Sequence, residues 1–358
     1  MGDKKTVGFG LLGAGLIAPF HAKAIQANEG CKLVAVADFN TERAQKLADE
    51  YGCKAVKTLD DLLADDSIDC INVLTPNHLH AEATIKAAAA GRHVLVEKPP
   101  AVSLKETDAM IDACRKAGVK LGIVLNCRVR KPIQAMKQAI DEGRFGKIFQ
   151  ADTQMKWFRT AEYYLSDDWR SKRSSGAGVT IQHAFHYIDL LQYLMGPVRQ
   201  VHARMTNFAH PQVKLEDSLM AFVDYENGAQ GAVVASTAYW PGTDIRIEIN
   251  GEDGTAIMAG EKMVTWKFRD EKPEDEEIRK FGRDSVGTAA SGPADFDFTD
   301  HKVVVAGMAD AIRNDGEPLI TAESARKSLE IALAMYQSSD AGKPVSLPIS
   351  NEESIWNK

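Results

Sequence analysis

The sequence lacks the features that mark membrane, secreted and nucleic-acid-binding proteins. No apolar run in its 358 residues reaches the ~20 that a membrane-spanning helix needs. Cysteine is scarce and unpatterned: Cys31, Cys53, Cys70, Cys114 and Cys127 are odd in number and never spaced C-x-x-C. That argues against a disulfide framework or a zinc site and fits a reducing cytosol. Positive charge is in deficit, with 43 Lys and Arg against 50 Asp and Glu. A net charge of −7 argues against a surface for nucleic acid or anionic lipid. Met1-Gly2-Asp3-Lys4-Lys5 leads straight into the strand-length run Thr6–Leu12 and then glycines, without a signal-peptide cleavage pattern. A cytoplasmic protein without internal repeats is expected.

What is present is ordinary for a folded chain: 44% apolar and 26% charged residues. The length exceeds what one core usually sustains, so two domains are expected. Strand-like runs at Val7–Leu12, Lys32–Ala37, Asp69–Leu74, His93–Val96 and Lys120–Leu125 alternate with helical patterns at 17–28, 41–51, 80–90 and 104–117. Such alternation predicts a parallel sheet with helices on both faces. After Cys127 the rhythm changes. Pro132–Glu142 reads as a helix, and Phe149, Ala151, Thr153, Met155 and Trp157 alternate as in a half-buried strand. Ser218–Tyr225 and Ala229–Thr237 flank an Asn-Gly turn and read as a hairpin, and Ile245–Ile249 opens another strand. Gly176–Met195 reads as a longer helical stretch, with helices again at 301–313 and 322–338. The charge-dense run Arg269–Glu277 reads as a solvated loop, and Val286–Asp300 as a loop. The expected fold is α/β: a parallel-sheet domain over 1–127, then an α+β domain over 128–358 with a large, mostly antiparallel sheet.

Gly13-Ala14-Gly15-Leu16-Ile17-Ala18 matches G-x-G-x-x-A between a strand and a helix. Gly13 permits the turn, Gly15 admits a pyrophosphate to the helix N-terminus, and Ala18 allows close packing. Asp38 ends the second strand, 23 positions after Gly15. A carboxylate there accepts ribose hydroxyls and repels a 2′-phosphate, so NAD is expected in preference to NADP; the alternative for Asp38 is a cap on the next helix. In Thr75-Pro76-Asn77-His78 the proline takes the chain off the sheet at its ligand-binding edge. His78 and His80 have no carboxylate or thiol spaced nearby, so no metal is expected. Lys98, in Glu97-Lys98-Pro99-Pro100, ends another strand and points toward the cofactor crevice.

These pieces, with the segment Gly176–Asp189, resemble the glucose–fructose oxidoreductase / inositol dehydrogenase / rhizopine-catabolism family, Gfo/Idh/MocA. The likeness runs along nearly the whole chain. It implies a Rossmann domain and an open-faced sheet domain with substrate between them. It also implies a homodimer or homotetramer formed through that sheet, and oxidation or reduction of one ring hydroxyl of a sugar, sugar derivative or cyclitol. The expected cofactor contacts are Gly13, Gly15, Leu16, Ile17, Asp38, Thr75, Pro76, Asn77, His80, Glu97, Lys98 and Asn126. By resemblance, Lys98 is the lysine near the reacting carbon and His186 the acid/base histidine.

The chemistry asks for the same residue types. Oxidising an alcohol leaves a proton that an imidazole accepts near neutral pH, while an ammonium stabilises alkoxide character. His186 is favoured as base, with Lys98 as the alternative if burial lowers its pKa. One departure from the family pattern is Gln182, where many members carry Asp four residues before the histidine. An amide on that shared helix face can bond a hydroxyl but cannot raise the histidine's pKa. Asp189 could orient His186, or serve packing. Arg128, Trp169, Arg170, Gln182, His183, His186 and Lys98 are the expected substrate contacts; Lys172 is a further candidate cation, and Trp157, Tyr163 and Tyr164 could stack on a ring or simply pack. Two other functions stay open: an NAD-dependent glycosidase that oxidises transiently and eliminates, with His183 or Tyr163 as second base, and a non-catalytic dinucleotide sensor.

Overall fold

The structure, a computed structural model, describes residues 6–282, 297–352 and 355–356. The chain forms two compact units: Met1–Asn126 with Asp297–Arg326, and Cys127–Phe296 with Lys327–Lys358. The expected second domain, 128–358, is therefore not one continuous body. Its segment 297–326 belongs with the first unit, because helix 299–314 buries its apolar side there. Most of the loop expected over 286–300 lies outside the described residues, and Thr299 and Asp300 are already helical.

In the first unit, β1 (Val7–Leu12), β2 (Cys31–Ala37), β3 (Lys54–Val56), β4 (Cys70–Val73), β5 (His93–Glu97) and β6 (Leu121–Val124) form one sheet in the order β3-β2-β1-β4-β5-β6. Every pairing is parallel. β1, β4, β5 and β6 are buried along almost their whole length, which is why they read as continuous apolar runs. The connecting helices are α1 (Ala18–Gln26), α2 (Thr41–Tyr51), α3 (Leu59–Leu63), α4 (His80–Ala89) and α5 (Leu104–Ala117). Asn40 caps α2 by accepting from Arg43 N (3.1 Å), and Gly52 closes it in the left-handed conformation. The order reverses between β1 and β4, at the edge where such sheets bind ligands.

The second unit contains α6 (Lys131–Asp141), β7 (Ile148–Lys156), α7 (Ala161–Leu165), a π-helical turn (Val179–His183), α8 (Phe185–Met195), β8 (Val198–Thr206), β9 (Ser218–Tyr225), β10 (Gln230–Ser236), β11 (Arg246–Gly251), β12 (Gly254–Ala259), β13 (Lys262–Phe268) and α9 (Asp275–Ile278). After α10 (Thr299–Asn314) comes α11 (Ala322–Ala341), whose first turn lies in the first unit, and then β14 (Val345–Ser346). Eight strands form the sheet β13-β12-β11-β7-β10-β9-β8-β14, antiparallel except where β10 meets β7. Leu219, Ala221, Val223 and Tyr225 of β9 face the buried side, whereas Met220 and Phe222 are exposed. This period of two is the alternation legible in the sequence.

The segment Arg269–Glu277 is not simply a solvated loop. Asp275 is fully buried, and its carboxylate accepts both terminal nitrogens of Arg144 (2.7 Å each) and Trp266 Nε1 (2.6 Å). Charge density along a chain cannot reveal a partner 131 positions away. Gly176–Met195 is likewise not one α-helix: the π turn precedes α8, with Ala184 N donating to Val179 O (2.8 Å). None of the five cysteines forms a disulfide. Among the described residues, no helix is long and apolar enough to cross a membrane.

Candidate active site

The glycine turn is built as its spacing requires. Gly13 has φ +112°, and a Cβ there would meet Leu74 O at 2.8 Å. At Gly15 an added Cβ would meet nothing within 4 Å, so its backbone borders open space at the start of α1. Asp38 is buried; one carboxylate oxygen accepts from Ala14 N and the other from Asn40 N, both at 2.8 Å. Because Asn40 caps α2, Asp38 is not spent on that task. It ties the glycine turn to the end of β2 and keeps lone pairs for a ligand. Half-exposed Leu16 and partly buried Ile17 flank the turn.

A second network lies at the end of β5. Asn72 Nδ2 donates to His21 Nδ1 (3.0 Å), which leaves the ring proton on Nε2 for Glu97 Oε1 (3.0 Å). Glu97 Oε2 accepts from Lys98 N (3.1 Å), and His301 Nε2 stands 3.8 Å from Oε1. Burial alone would push the Glu97 carboxyl up; the bond from His21, with His301 and Lys98 close by, outweighs it and holds the group at about 2. Glu97 is thus a buried, fixed anion beneath Lys98 rather than a group turned to the cofactor. The His21, Glu97 and His301 ligand atoms lie within 4.8 Å of one another, close enough for a metal. However, a ligating nitrogen must be unprotonated, and the Asn72 bond places a proton on His21 Nε2.

His80, expected at the cofactor, is fully buried, with Nδ1 2.8 Å from Pro99 O and Nε2 2.9 Å from Thr75 O. Its ring fastens the turn after β4 to the cis Lys98–Pro99 peptide. Thr75 and Pro76 are partly exposed beside buried Asn77, while His78 is exposed. Asn126 lies 3.4 Å from His301 Nδ1.

In the second unit, Gln182 and His186 are both half-buried, while Ile181 and all residues from 183 to 185 are buried. The two accessible side chains therefore share one face of the segment. His183 points elsewhere, among Trp157, Tyr163 and Tyr164, with ring centroids 5.5–6.5 Å apart. Arg159, which sequence reasoning did not single out, lies 5.3 Å from the Trp157 ring centroid and 5.6 Å from that of Tyr163. Burial pulls its pKa down, opposed by the neighbouring tyrosines. Arg170 donates to Asp167 and to Tyr163 Oη, both at 3.0 Å, and stacks 4.4 Å from the Trp169 ring. Lys172 pairs with Asp168.

Two expected site residues are used structurally. Arg128 is buried and makes a bidentate pair with Asp189, through Nε to Oδ2 (2.7 Å) and Nη2 to Oδ1 (2.5 Å); Ser328 Oγ adds a bond to Oδ1 (2.6 Å). Arg128 is therefore not poised for substrate, and Asp189 serves Arg128 rather than orienting His186. Burial alone would lower the Arg128 pKa, but Asp189 overcomes this and raises it.

Residues 7–124 match an oxidoreductase family with an NAD-binding Rossmann fold, and residues 133–257 match the GFO/IDH/MocA C-terminal domain. The chain belongs to the Gfo/Idh/MocA family. It is 30% identical over 345 residues to the 1,5-anhydro-D-fructose reductase of Ensifer adhaerens, covering 94% of this chain and 97% of that one. It is 30% identical over 264 residues to the inositol 2-dehydrogenase of Rhizobium meliloti (strain 1021), covering 73% and 78%. The WlbA dehydrogenase from Bordetella pertussis, solved in complex with NADH and UDP-GlcNAcA, superposes with a TM-score of 0.87 at 32% identity, covering 98% of this chain and all of that one. This Gfo/Idh/MocA member is thus an NAD-binding oxidoreductase. Its residues fit the dinucleotide: open space at Gly15, a helix N-terminus behind it and the Asp38 carboxylate at the end of β2. Replacing Asp38 with Ala should weaken NADH binding about tenfold or more, as expected for losing charge-assisted bonds of about 1.5–3 kcal/mol. NADPH binding should change far less. A fluorescence titration checks this, and equal losses for both dinucleotides would refute the ribose role.

Proposed function

We propose that this protein interconverts a secondary alcohol and a ketone on the ring of a sugar, sugar derivative or cyclitol. The observation that carries this reading is the pair of partly accessible side chains Gln182 and His186, four positions apart with buried residues between them, in a family whose relatives act on ring polyols and anhydrosugars. The bound dinucleotide supplies the hydride acceptor or donor. His186 takes the hydroxyl proton in oxidation and returns it in reduction. The Lys98 ammonium stabilises negative charge on the substrate oxygen, and Glu97 holds the Lys98 backbone in place. Gln182 offers an amide to a neighbouring hydroxyl.

The open sheet face supports assembly with further copies of the chain. Phe222 is 75% exposed and Met220 55%, side by side on β9 with Val234 of β10 opposite Met220. An apolar group of this kind on a sheet face supports such association, and homo-oligomerisation through it is part of the proposal. Sedimentation should find wild type at a multiple of 39.1 kDa and Phe222→Lys shifted toward monomer; a monomeric wild type would remove this part.

The enzymatic reading is tested by screening polyols, aldoses, sugar acids, glycosides and nucleotide sugars for NADH formation. His186→Ala and Lys98→Ala should retain NADH binding and lose about 10²–10⁴-fold in turnover. Undiminished rates in both variants would defeat the assignment, and glycoside cleavage without net NADH would instead indicate transient oxidation with elimination.

A further inference from the structure

The segment that carries His183 and His186 begins in an unusual way. Gly178 has φ +109°, and the next five residues form the π turn. No side chain of the turn's own preceding residue caps it. Its first two amides are satisfied from one distant residue instead: Val179 N donates to Glu216 O (3.0 Å) and Thr180 N to Glu216 Oε1 (3.0 Å). Tyr336 Oη donates to the same carboxylate oxygen at 2.6 Å. Glu216, Thr180 and Tyr336 are all buried, and a Cβ on Gly178 would stand 2.5 Å from either Glu216 carboxylate oxygen. Arg173 stacks 4.5 Å from the Tyr336 ring and pairs with Asp340 (2.8 Å), fixing the tyrosine from its far side. Glu216 itself adjoins Asp217, whose carboxylate accepts from Phe208 N, Ala209 N and Ser218 Oγ, so its backbone is anchored at the start of β9.

A carboxylate buried at the opening of a helical segment compensates the unsatisfied amides and the positive end of the peptide dipoles. Here it also has a geometric consequence. A π turn holds one residue more than an α turn, so it changes the direction of side chains before it relative to those after it. The turn aims His183 into the aromatic walls while Gln182 and His186 share the accessible face. Relaxation of 179–183 to an ordinary α turn would rotate these side chains against one another. Burial pushes the Glu216 pKa up, and the Tyr336 and Thr180 bonds oppose that rise.

We propose that Glu216, braced by Tyr336, is a positioning residue that holds the π turn and thereby sets where His183 and His186 stand. It touches no reacting atom. The inference rests on the reading of His186 as acid/base only for its effect on turnover; the imidazole positions are independent of that reading.

The test compares Glu216→Gln, Glu216→Ala and Tyr336→Phe in the full chain, using NADH affinity, histidine imidazole NMR and, on a substrate found by the screen above, kcat and KM. Glu216→Gln retains an acceptor for Thr180 N and Tyr336 Oη, so it should keep near-wild-type imidazole shifts and turnover. Glu216→Ala should move the His183 and His186 resonances, leave NADH affinity unchanged and lower kcat by about tenfold to a hundredfold with a smaller change in KM. Tyr336→Phe, the milder change, should move the same resonances in the same direction. Unmoved His183 and His186 resonances in a folded Glu216→Ala, or in Tyr336→Phe if the alanine variant does not fold, would overturn the proposal. Moved resonances with kcat unchanged would leave Glu216 in its positioning role and count instead against His186 as acid/base.

Discussion

The first unit depends on one buried anion. Glu97 lies at the end of β5 and reaches three other elements: α1 through His21, β4 through Asn72 behind that ring, and α10 through His301. Its second oxygen holds the backbone of Lys98. The glycine turn and the lysine are far apart in sequence, and this carboxylate fixes the helix that follows the first to the strand that precedes the second. An ionised group so deeply buried persists only when its charge is met by donors on more than one side. The segment 297–326 belongs to this unit partly for that reason, since it brings His301 to the cluster.

The second unit relies on buried pairs of a different kind. Arg128 and Asp189, with Ser328, join the segment that opens the unit to α8 and α11. Arg144 and Asp275 join the turn after α6 to α9. Removing one partner of such a pair costs about 3–5 kcal/mol, because the other charge stays buried alone. This scaffold role explains why an arginine and an aspartate that resembled site residues are not among them.

Local pattern made much of this legible in the sequence. Gly13 and Gly15 carry a conformational requirement readable from spacing alone, and Asp38 follows at the strand end where a ribose-binding acid belongs. The parallel strands announced themselves as apolar runs and the open sheet as alternation. What stayed hidden was long-range polar pairing. Nothing near His21 points to Glu97, nothing near Arg128 to Asp189, and nothing near Gly178 to Glu216. His80 is an expected cofactor contact, but two carbonyls claim its ring. The π turn was invisible because its extra residue depends on an acceptor supplied from 36 positions downstream.

The dependence on Glu97 can be measured through the pH dependence of stability in wild type and Glu97→Gln. The carboxyl is held at about 2 in the fold against an ordinary 4.5. Its ionised form therefore adds about 3 kcal/mol of stability, complete above pH 4.5 and lost as pH falls toward 2. Denaturant unfolding should show a gap between the two proteins that is constant above about pH 5 and narrows steadily in acid. A gap that keeps its size down to pH 3 and below, or no gap at neutral pH, would contradict the view that one ionised carboxylate organises the unit.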